Sequence, residues 1–349
     1  MIGRVIVLDE IAERRVAALM IDGELEDLIL DPSEGSAPSP GAILRGVCDR
    51  PLKGQGGMIL RLPGKMTGYL KHGKEYAPGD TILVQVTGQA EGGKAVPVTP
   101  RLLFKSRYAI ITPGAPGINV ARGIRDDEER ERLLEIAHSE MEGAPEDFGL
   151  ILRSAADGVN DDALAEDVAA MRDLAIAVLA DVQGEPELLL DAPDAHLAAW
   201  RDWANPDPDE IVDRIGSFEE LGVLDEVEAL FDAVVALSGG ANMVIEPTTA
   251  LIAVDVNTGP DTSLAAGLKA NLAVARELPR QLRLRGLGGQ ITLDVAPMPK
   301  KDRRQFEDAL RRAFRQDATD TVLAGWTPLG NFELQRKRDR LPLKEVWPK

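Results

Sequence analysis

A strand–helix–strand pattern in residues 244–298 constrains the fold more than any other part of the chain. Residues 245–256 are rich in β-branched and aliphatic side chains, which is typical of a strand. Apolar residues then recur at helical spacing over 264–282, and Gly288-Gly289 ends this predicted helix before a second strand over 290–295. Two strands joined by a helix within about 55 residues predict a parallel pair with a right-handed crossover.

Acidic side chains lie near the ends of both predicted strands. With a period of two, Asp255 and Asn257 share one face of the first strand, and Asp294 lies near the end of the second. The carboxyl ends of parallel strands meet at one edge of a sheet, where open α/β sheets bind their ligands. Two carboxylates that converge there repel each other, and a divalent cation with oxygen ligands, Mg²⁺ or Mn²⁺, would offset this repulsion. Spacing alone also allows the alternative that each aspartate caps the turn after its strand.

Longer stretches around these residues resemble the catalytic core of the ribonuclease E/G family of bacterial endoribonucleases. The resemblance is carried by ALIAVDVNTG at 250–259, RQLRLRGLGGQITLDVAPM at 280–298 and LGNFELQRKR at 329–338. In that family the aspartates that match Asp255 and Asp294 bind the catalytic Mg²⁺, and the asparagine that matches Asn257 orients the first of them. The resemblance therefore implies that these three are catalytic residues and that the two aspartates are the metal ligands. The family often has another acidic residue where this chain has Pro297.

The resemblance implies an α/β fold (mixed α+β) of several subdomains. Residues 1–40 with 186–240 are expected to form an RNase H-like scaffold, and residues 41–100 an OB-fold RNA-binding barrel. Residues 101–185 are expected to form a 5′-phosphate sensor-like subdomain. Residues 241–349 are expected to form a DNase I-like catalytic α/β subdomain that binds the metal.

The barrel is also indicated by the sequence pattern itself. Five short apolar stretches alternate with Gly and Pro turns in residues 42–100, which favours a small barrel such as the OB-fold. The resemblance places RNA contacts at Tyr69 and Lys94, and the Tyr69 ring offers a stacking surface for a base. Ile59 occupies a position where the family has a further aromatic contact. The alternative is that Tyr69 is an ordinary residue of the barrel rim.

A second candidate binding site follows the predicted strand that begins at residue 149, which ends in Arg153 and Ser154. A guanidinium and a hydroxyl beside a turn suit a phosphate group, because together they offer several directed donors. In the ribonuclease E/G family an Arg-Thr pair at this position binds the 5′-monophosphate of RNA, and Arg122 matches a further family arginine. The alternative is that Arg153 pairs with nearby acidic side chains.

Charge is distributed unevenly along the chain, whose net charge is −18. Residues 270–349 contain 17 Lys/Arg and 10 Asp/Glu, a net of +7, which leaves −25 for the first 269 residues. This basic stretch coincides with the predicted catalytic region, and we expect Arg283 and Arg285 to contact RNA there. The alternative for such a run of charges is a solvated helix face.

The composition also restricts cofactors and location. Cys48 is the only cysteine, which excludes an internal disulfide and a multi-cysteine zinc site, so we expect no zinc. The family commonly joins two protomers through a cysteine zinc link, and a homo-oligomer of this chain is not expected to form by that route. We expect a cytoplasmic protein without a membrane partner, because no apolar run of about 18 residues and no N-terminal signal pattern occurs.

The resemblance implies a Mg²⁺-dependent endoribonuclease that hydrolyses single-stranded RNA in RNA processing or decay. It further implies sensitivity to a 5′-monophosphate and products with a 5′-phosphate and a 3′-hydroxyl. Two alternatives stay open. One is a catalytically inactive RNA-binding member of the family, which Pro297 and a barrel shorter than in larger relatives favour. The other is an α/β interaction module whose acidic N-terminal part binds a protein.

Overall fold

A computed structural model of the chain describes residues 2–33, 35–52, 54, 56–90 and 94–348. The chain divides into two compact units. One consists of residues 1–13, 18–28 and 212–349, and the other of residues 14–17 and 29–211. The four-part division that the resemblance implies stays a prediction beside this coarser one.

The chain begins with three strands: β1 (Arg4–Ile11), β2 (Arg14–Ile21) and β3 (Glu24–Leu30). Asp22 and Gly23 join the last two with positive φ angles of 51° and 87°, which Asp-Gly favours in a tight hairpin. Apolar side chains in the middle of β1 and β2, such as Val7 and Val16, are fully buried.

The expected five-stranded barrel is present. Its strands are β4 (Ile43–Leu52), β5 (Gly57–Arg61), β6 (Thr67–Leu70), β7 (Thr81–Val86) and β8 (Val96–Thr99). Their order is β4-β5-β6-β8-β7, and β7 pairs again with β4, so that the barrel closes. The β6–β8 pair is parallel and the other pairs are antiparallel. Leu44, Leu60 and Val84 fill its interior.

A second sheet in the same unit carries the candidate phosphate residues. Its strands are β9 (Phe104–Lys105), β10 (Ala109–Pro113), β11 (Gly117–Val120) and β12 (Phe148–Leu152), in the order β11-β12-β10-β9. Between and after them come α1 (Asp127–Glu140) and α2 (Asp161–Ala180). Leu133 of α1 and Val168 of α2 pack with Ile111 and Leu150 of the sheet in one apolar core.

Short elements fill residues 186–240. They are β13 (Glu187–Leu190), α3 (Ala195–Trp203), β14 (Glu210–Asp213), α4 (Ser217–Glu220), α5 (Val223–Ala229) and β15 (Val234–Ala236). β13 extends the barrel sheet beside β4. β14 takes part in a four-stranded sheet in the order β14-β1-β2-β3.

The last sheet contains the predicted crossover. The remaining elements are β16 (Asn242–Pro247), β17 (Ile252–Asn257), α6 (Leu264–Leu284), β18 (Gly289–Asp294), α7 (Arg303–Gln316), β19 (Thr321–Trp326), β20 (Phe332–Arg336) and α8 (Leu343–Val346). The strand order is β15-β16-β17-β18-β20-β19, and β17 and β18 are parallel, as predicted. Leu278 of α6 and Phe306 of α7 pack with Val254 and Leu293 on one face of this sheet.

The fold is therefore mixed α/β with a closed barrel and several sheets, as expected. None of the helices within the described residues is long and apolar enough to cross a membrane.

Candidate active site

The two aspartates of the crossover lie side by side. Asp255 and Asp294 are direct partners in the parallel register of β17 and β18, so their Cα atoms are about one strand spacing apart, roughly 4.8 Å. Each is the last or nearly the last residue of its strand, and both are exposed. The predicted placement of the two aspartates near the carboxyl ends of neighbouring parallel strands is confirmed.

Alternation along β17 explains why these side chains face outward. Ile252, Val254 and Val256 point into the core formed with the helices, which leaves Asp255 and Asn257 on the open face. A shift of one residue in the register would bury the carboxylate, so the apolar triplet fixes its direction.

Asn257 is placed to orient Asp255. Its Nδ2 donates to Oδ2 of Asp255 at 2.8 Å and contacts Oδ1 of Asn242 on β16 at 3.4 Å. Asn242 and Asn257 are register partners, so both amides belong to the same row of the sheet. The bond engages one of the two oxygens of Asp255 and limits the rotation of its carboxylate.

The donor set suits a hard cation with open positions. Among the described residues, no three or more His, Cys, Asp or Glu side chains lie close enough together to hold a metal. Mg²⁺, however, is usually held by one or two carboxylates, with water and substrate phosphates filling the other positions. Two exposed carboxylates in register, one of them oriented by an amide, fit that requirement.

On the side of β18 away from β17, the neighbour of Asp294 is the turn between β19 and β20. Leu293 pairs with Phe332 of β20, which brings this turn to the same sheet edge. Trp326 lies at the start of the turn; its Nε1 donates to Oε1 of Glu307 at 2.6 Å, and the Arg303 guanidinium lies 4.2 Å from its ring centroid. Nothing in residue spacing indicated this neighbourhood, and only the family likeness of 329–338 pointed to it.

The candidate phosphate residues also follow parallel strands. Val120 of β11 pairs with Leu152 of β12, and the backbone N–H of Ala121 donates to the Leu152 carbonyl at 2.8 Å. Arg122 lies two residues after the end of β11 and Ser154 two residues after the end of β12, and both are exposed. These two residues therefore lie at the same end of the sheet.

Arg153, the third residue of the predicted phosphate site, is in a different environment. Its Nη1 donates to the carbonyls of Ser106 at 2.6 Å and Arg201 at 3.1 Å, and its Nη2 donates to Oδ1 of Asp202 at 2.9 Å. The side chain is only 19% exposed. Such internal bonding is the alternative foreseen for Arg153, and it does not fit direct contact with a phosphate.

Asp202 lies at the centre of this internal cluster. Burial raises the pKa of its carboxyl, but the hydrogen bond and charge of Arg201, together with Lys105, outweigh that effect and lower the pKa to about 2. Asp202 is thus ionised at neutral pH and holds Arg153 and Lys105 in place.

Comparison with known proteins covers the residues of both candidate sites. The model of the ribonuclease E/G family matches residues 104–220 and 212–339, which include the aspartate pair and the Arg153 turn. The chain belongs to the ribonuclease E/G family.

Curated relatives of this family are similar over most of the chain. Ribonuclease G of Salmonella typhimurium (strain SL1344) is 30% identical over 308 residues, which cover 77% of this chain and 62% of the relative. Ribonuclease E of Nostoc sp. (strain PCC 7120) is 28% identical over 310 residues, covering 78% of this chain and 45% of the relative. The chain thus spans about three fifths of the length of the first of these relatives and less than half of the second.

Two arginines expected to contact RNA in this family member are instead buried. Arg283 and Arg285 are 9% and 7% exposed. Arg283 forms ion pairs with Glu26 and Asp317, and Arg285 donates from Nε to Oε1 of Gln281 at 3.0 Å. Their burial contradicts the expected surface position: Arg283, in the last turn of α6, and Arg285, at its C-cap, both bond to other residues of the protein. Other cations of this stretch are exposed, among them Arg276, Lys300, Lys301 and Arg304.

The barrel residues expected to bind RNA lie on its outside. Tyr69 is half-buried on β6, between its register partners Ile59 on β5 and Pro97 on β8. Its ring covers Gly57, where an added Cβ would lie 2.6 Å from Cε2 of Tyr69. Lys94 is exposed shortly before β8. The Tyr69 ring therefore packs against the backbone of Gly57 on the outside of the barrel.

Proposed function

We propose that this chain is a metal-dependent endoribonuclease that hydrolyses single-stranded RNA in RNA processing or decay. The observation that carries the proposal is the in-register pair of exposed carboxylates, Asp255 and Asp294. Membership of a family whose relatives are named ribonuclease E and ribonuclease G supports the choice of substrate.

Each residue of the candidate active site has a separate proposed role. Asp255 and Asp294 would hold Mg²⁺, or Mn²⁺ in its place, and the hydrogen bond from Asn257 orients the Asp255 carboxylate. A cation bound there supplies Lewis-acid polarisation of the scissile phosphate and lowers the pKa of an attacking water. Lys300 and Lys301, exposed just beyond Asp294, attract the neighbouring phosphates of the chain. This chemistry does not use the RNA 2′-hydroxyl, so preference for RNA must come from other binding surfaces.

The barrel is proposed to supply one such surface. A closed five-stranded barrel with a parallel pair between its third and fifth strands supports the OB-fold assignment. Tyr69 offers a ring on which a base stacks, and Lys94 offers a charge to the backbone phosphate. Stacking does not depend on base identity, so this surface favours single strands over any particular sequence.

Sensitivity to the 5′ end is proposed to involve Arg122 and Ser154. Both are exposed at one end of the β11–β12 pair, where a guanidinium and a hydroxyl can reach one phosphate. Arg153 contributes indirectly, because its bonds to Asp202 and to the Ser106 carbonyl fix the turn that carries Ser154.

A cleavage assay tests this proposal. The protein is incubated with a 5′-monophosphorylated, A/U-rich single-stranded RNA in Mg²⁺ or in EDTA, and the ends of the products are mapped. We expect internal cuts that require Mg²⁺ and leave 5′-phosphates. Binding without cleavage would support the inactive RNA-binding alternative, for which Pro297 is the motivating residue. If the protein neither binds nor cleaves this RNA, the assignment of RNA as its substrate is overturned.

A further inference from the structure

The backbone just after Asp294 is held by a buried amide of α6. Nδ2 of Asn271 donates to the carbonyl of Ala296 at 2.8 Å, and the N–H of Ala296 donates to Oδ1 of Asn271 at 2.9 Å. The Asn271 side chain is fully buried. A single amide thus pairs with both backbone groups of one residue, as a neighbouring strand would.

One turn earlier on the same helix, a glycine allows close contact with the next residue. A Cβ added to Gly267 would lie 2.1 Å from the carbonyl oxygen of Pro297. Any side chain at this position would push the segment away from the helix. Gly267 and Asn271 therefore fix two consecutive residues, Pro297 and Ala296, against α6.

The location of these contacts gives them a function. β18 ends at Asp294, so the ladder with β17 no longer holds the chain beyond that residue. An amide on the buried face of a helix costs free energy unless it is fully paired, and an apolar residue would fill the same space without that requirement. The distinctive effect of Asn271 is to hold the backbone two residues after the carboxylate.

We propose that Asn271 is a positioning residue for the metal site: by fixing Ala296 it sets the direction of the Asp294 carboxylate relative to Asp255. Gly267 sets the distance between the helix and this segment. The inference rests on the proposed function, because it takes Asp255 and Asp294 as the cation ligands. Residues that orient ligands in this way typically change metal affinity by about 10- to 100-fold when they are replaced.

Direct cation binding tests the role without relying on activity. Mn²⁺ binding is measured by electron paramagnetic resonance on the full chain and on Asn271→Ala and Gly267→Ala. The matched control is Gln281→Ala, which removes another buried amide from the same helix, one that bonds Glu277 and Arg285 instead. Thermal unfolding of every variant identifies the temperature at which all are folded, and the titrations are done there.

We expect Mn²⁺ to bind about 10-fold more weakly to Asn271→Ala and to Gly267→Ala, and with wild-type affinity to Gln281→Ala. Wild-type affinity in a folded Asn271→Ala variant would overturn the positioning role. If Asn271→Ala does not fold, Gly267→Ala decides, because alanine favours the helix itself and acts only through Pro297. Equal weakening in the Gln281→Ala control would also overturn the inference, since a general loss of packing would then explain all three variants.

The Asp255→Asn and Asp294→Asn variants separate this inference from the proposed function. If both lose Mn²⁺ binding while Asn271→Ala keeps it, only the positioning role fails. If both keep wild-type binding, the metal site itself is in a different place.

Discussion

The aspartate pair and the Arg153 turn are built in the same way but end in opposite arrangements. In each, charged residues lie at or just after the carboxyl ends of two neighbouring parallel strands. Asp255 and Asp294 face outward, whereas Arg153 turns back to bond backbone carbonyls and Asp202. Register fixes where a Cα lies, but the length of the side chain and the acids within its reach decide where its charge goes.

Physical properties of the two side chains explain the difference. An aspartate has one methylene, so the outward direction of its Cβ on the strand commits the carboxylate to the open face. An arginine reaches several ångströms further, and the first 269 residues carry a surplus of acids with a net charge of −25. A long cationic side chain in such surroundings can reach an acidic side chain of the protein and form an ion pair with it, as Arg153 does with Asp202.

The largest expected effect on stability concerns Arg283. Like Arg153, it bonds to acidic side chains of the protein and does not face solvent. Arg283→Ala is expected to lower the free energy of unfolding by about 3 kcal/mol, because it leaves the nearly inaccessible Asp317 with one cationic partner fewer. Arg276→Ala, an exposed arginine on the same helix, should change it by less than about 0.5 kcal/mol. Urea unfolding of the two variants makes the comparison. Unchanged stability of Arg283→Ala together with weaker RNA binding would restore Arg283 to the RNA surface.

A matched pair of variants separates the two arginines of the candidate phosphate site. Arg153→Ala should cost about 2 kcal/mol of stability, because its partly buried hydrogen bonds to Asp202 and to backbone carbonyls are lost. Arg122→Ala should leave stability within about 0.5 kcal/mol and remove the preference for a 5′-monophosphate over a 5′-hydroxyl. The measurements are urea unfolding and the ratio of cleavage rates on the two RNAs. A stable Arg153→Ala variant without that preference would instead make Arg153 the phosphate ligand.

The pKa of Asp202 predicts an effect of similar size that appears only as a pH dependence of stability. Its folded-state pKa of about 2 lies below the ordinary value of 3.8. A lowered folded-state pKa stabilises the protein above about pH 4, and this contribution, about 2 kcal/mol, is lost as the pH falls toward 2. Asp202→Asn should therefore be less stable than wild type at pH 7 by about that amount, and the gap should close between pH 4 and pH 2. A gap that stays constant over this range in urea unfolding would show that Asp202 is not held in its charged form by these partners.

Local patterns were sufficient to predict the crossover and the direction of its carboxylates. The apolar triplet of β17 and the helical spacing of α6 each act within a few residues, although α6 ends at Leu284, before Gly286 and not at the predicted Gly288-Gly289. The barrel strands were predicted for the same reason, since each is short, apolar and bounded by Gly or Pro.

Contacts between distant residues explain what sequence patterns missed. Arg153 meets Asp202 across 49 positions, and Arg283 meets Glu26 across 257, so no local window contains both partners. In the sequence, Asn271 is one polar residue among others in an amphipathic helix. Its hydrogen bonds to Ala296, 25 positions away, form only when α6 packs on the sheet, so no local pattern indicates them. The family resemblance supplied residue types for both sites without showing which of their side chains face solvent.

The central claim is that Asp255 and Asp294 together hold the catalytic cation. Single-turnover cleavage of the 5′-monophosphorylated RNA in Mg²⁺ tests it most directly, with wild type, Asp255→Asn, Asp294→Asn and the exposed-surface control Asp308→Asn. The account predicts that each site variant loses about 1,000-fold or more in rate while circular dichroism shows an unchanged fold, and that the control cleaves normally. Cleavage by either site variant within a few-fold of wild type would contradict it.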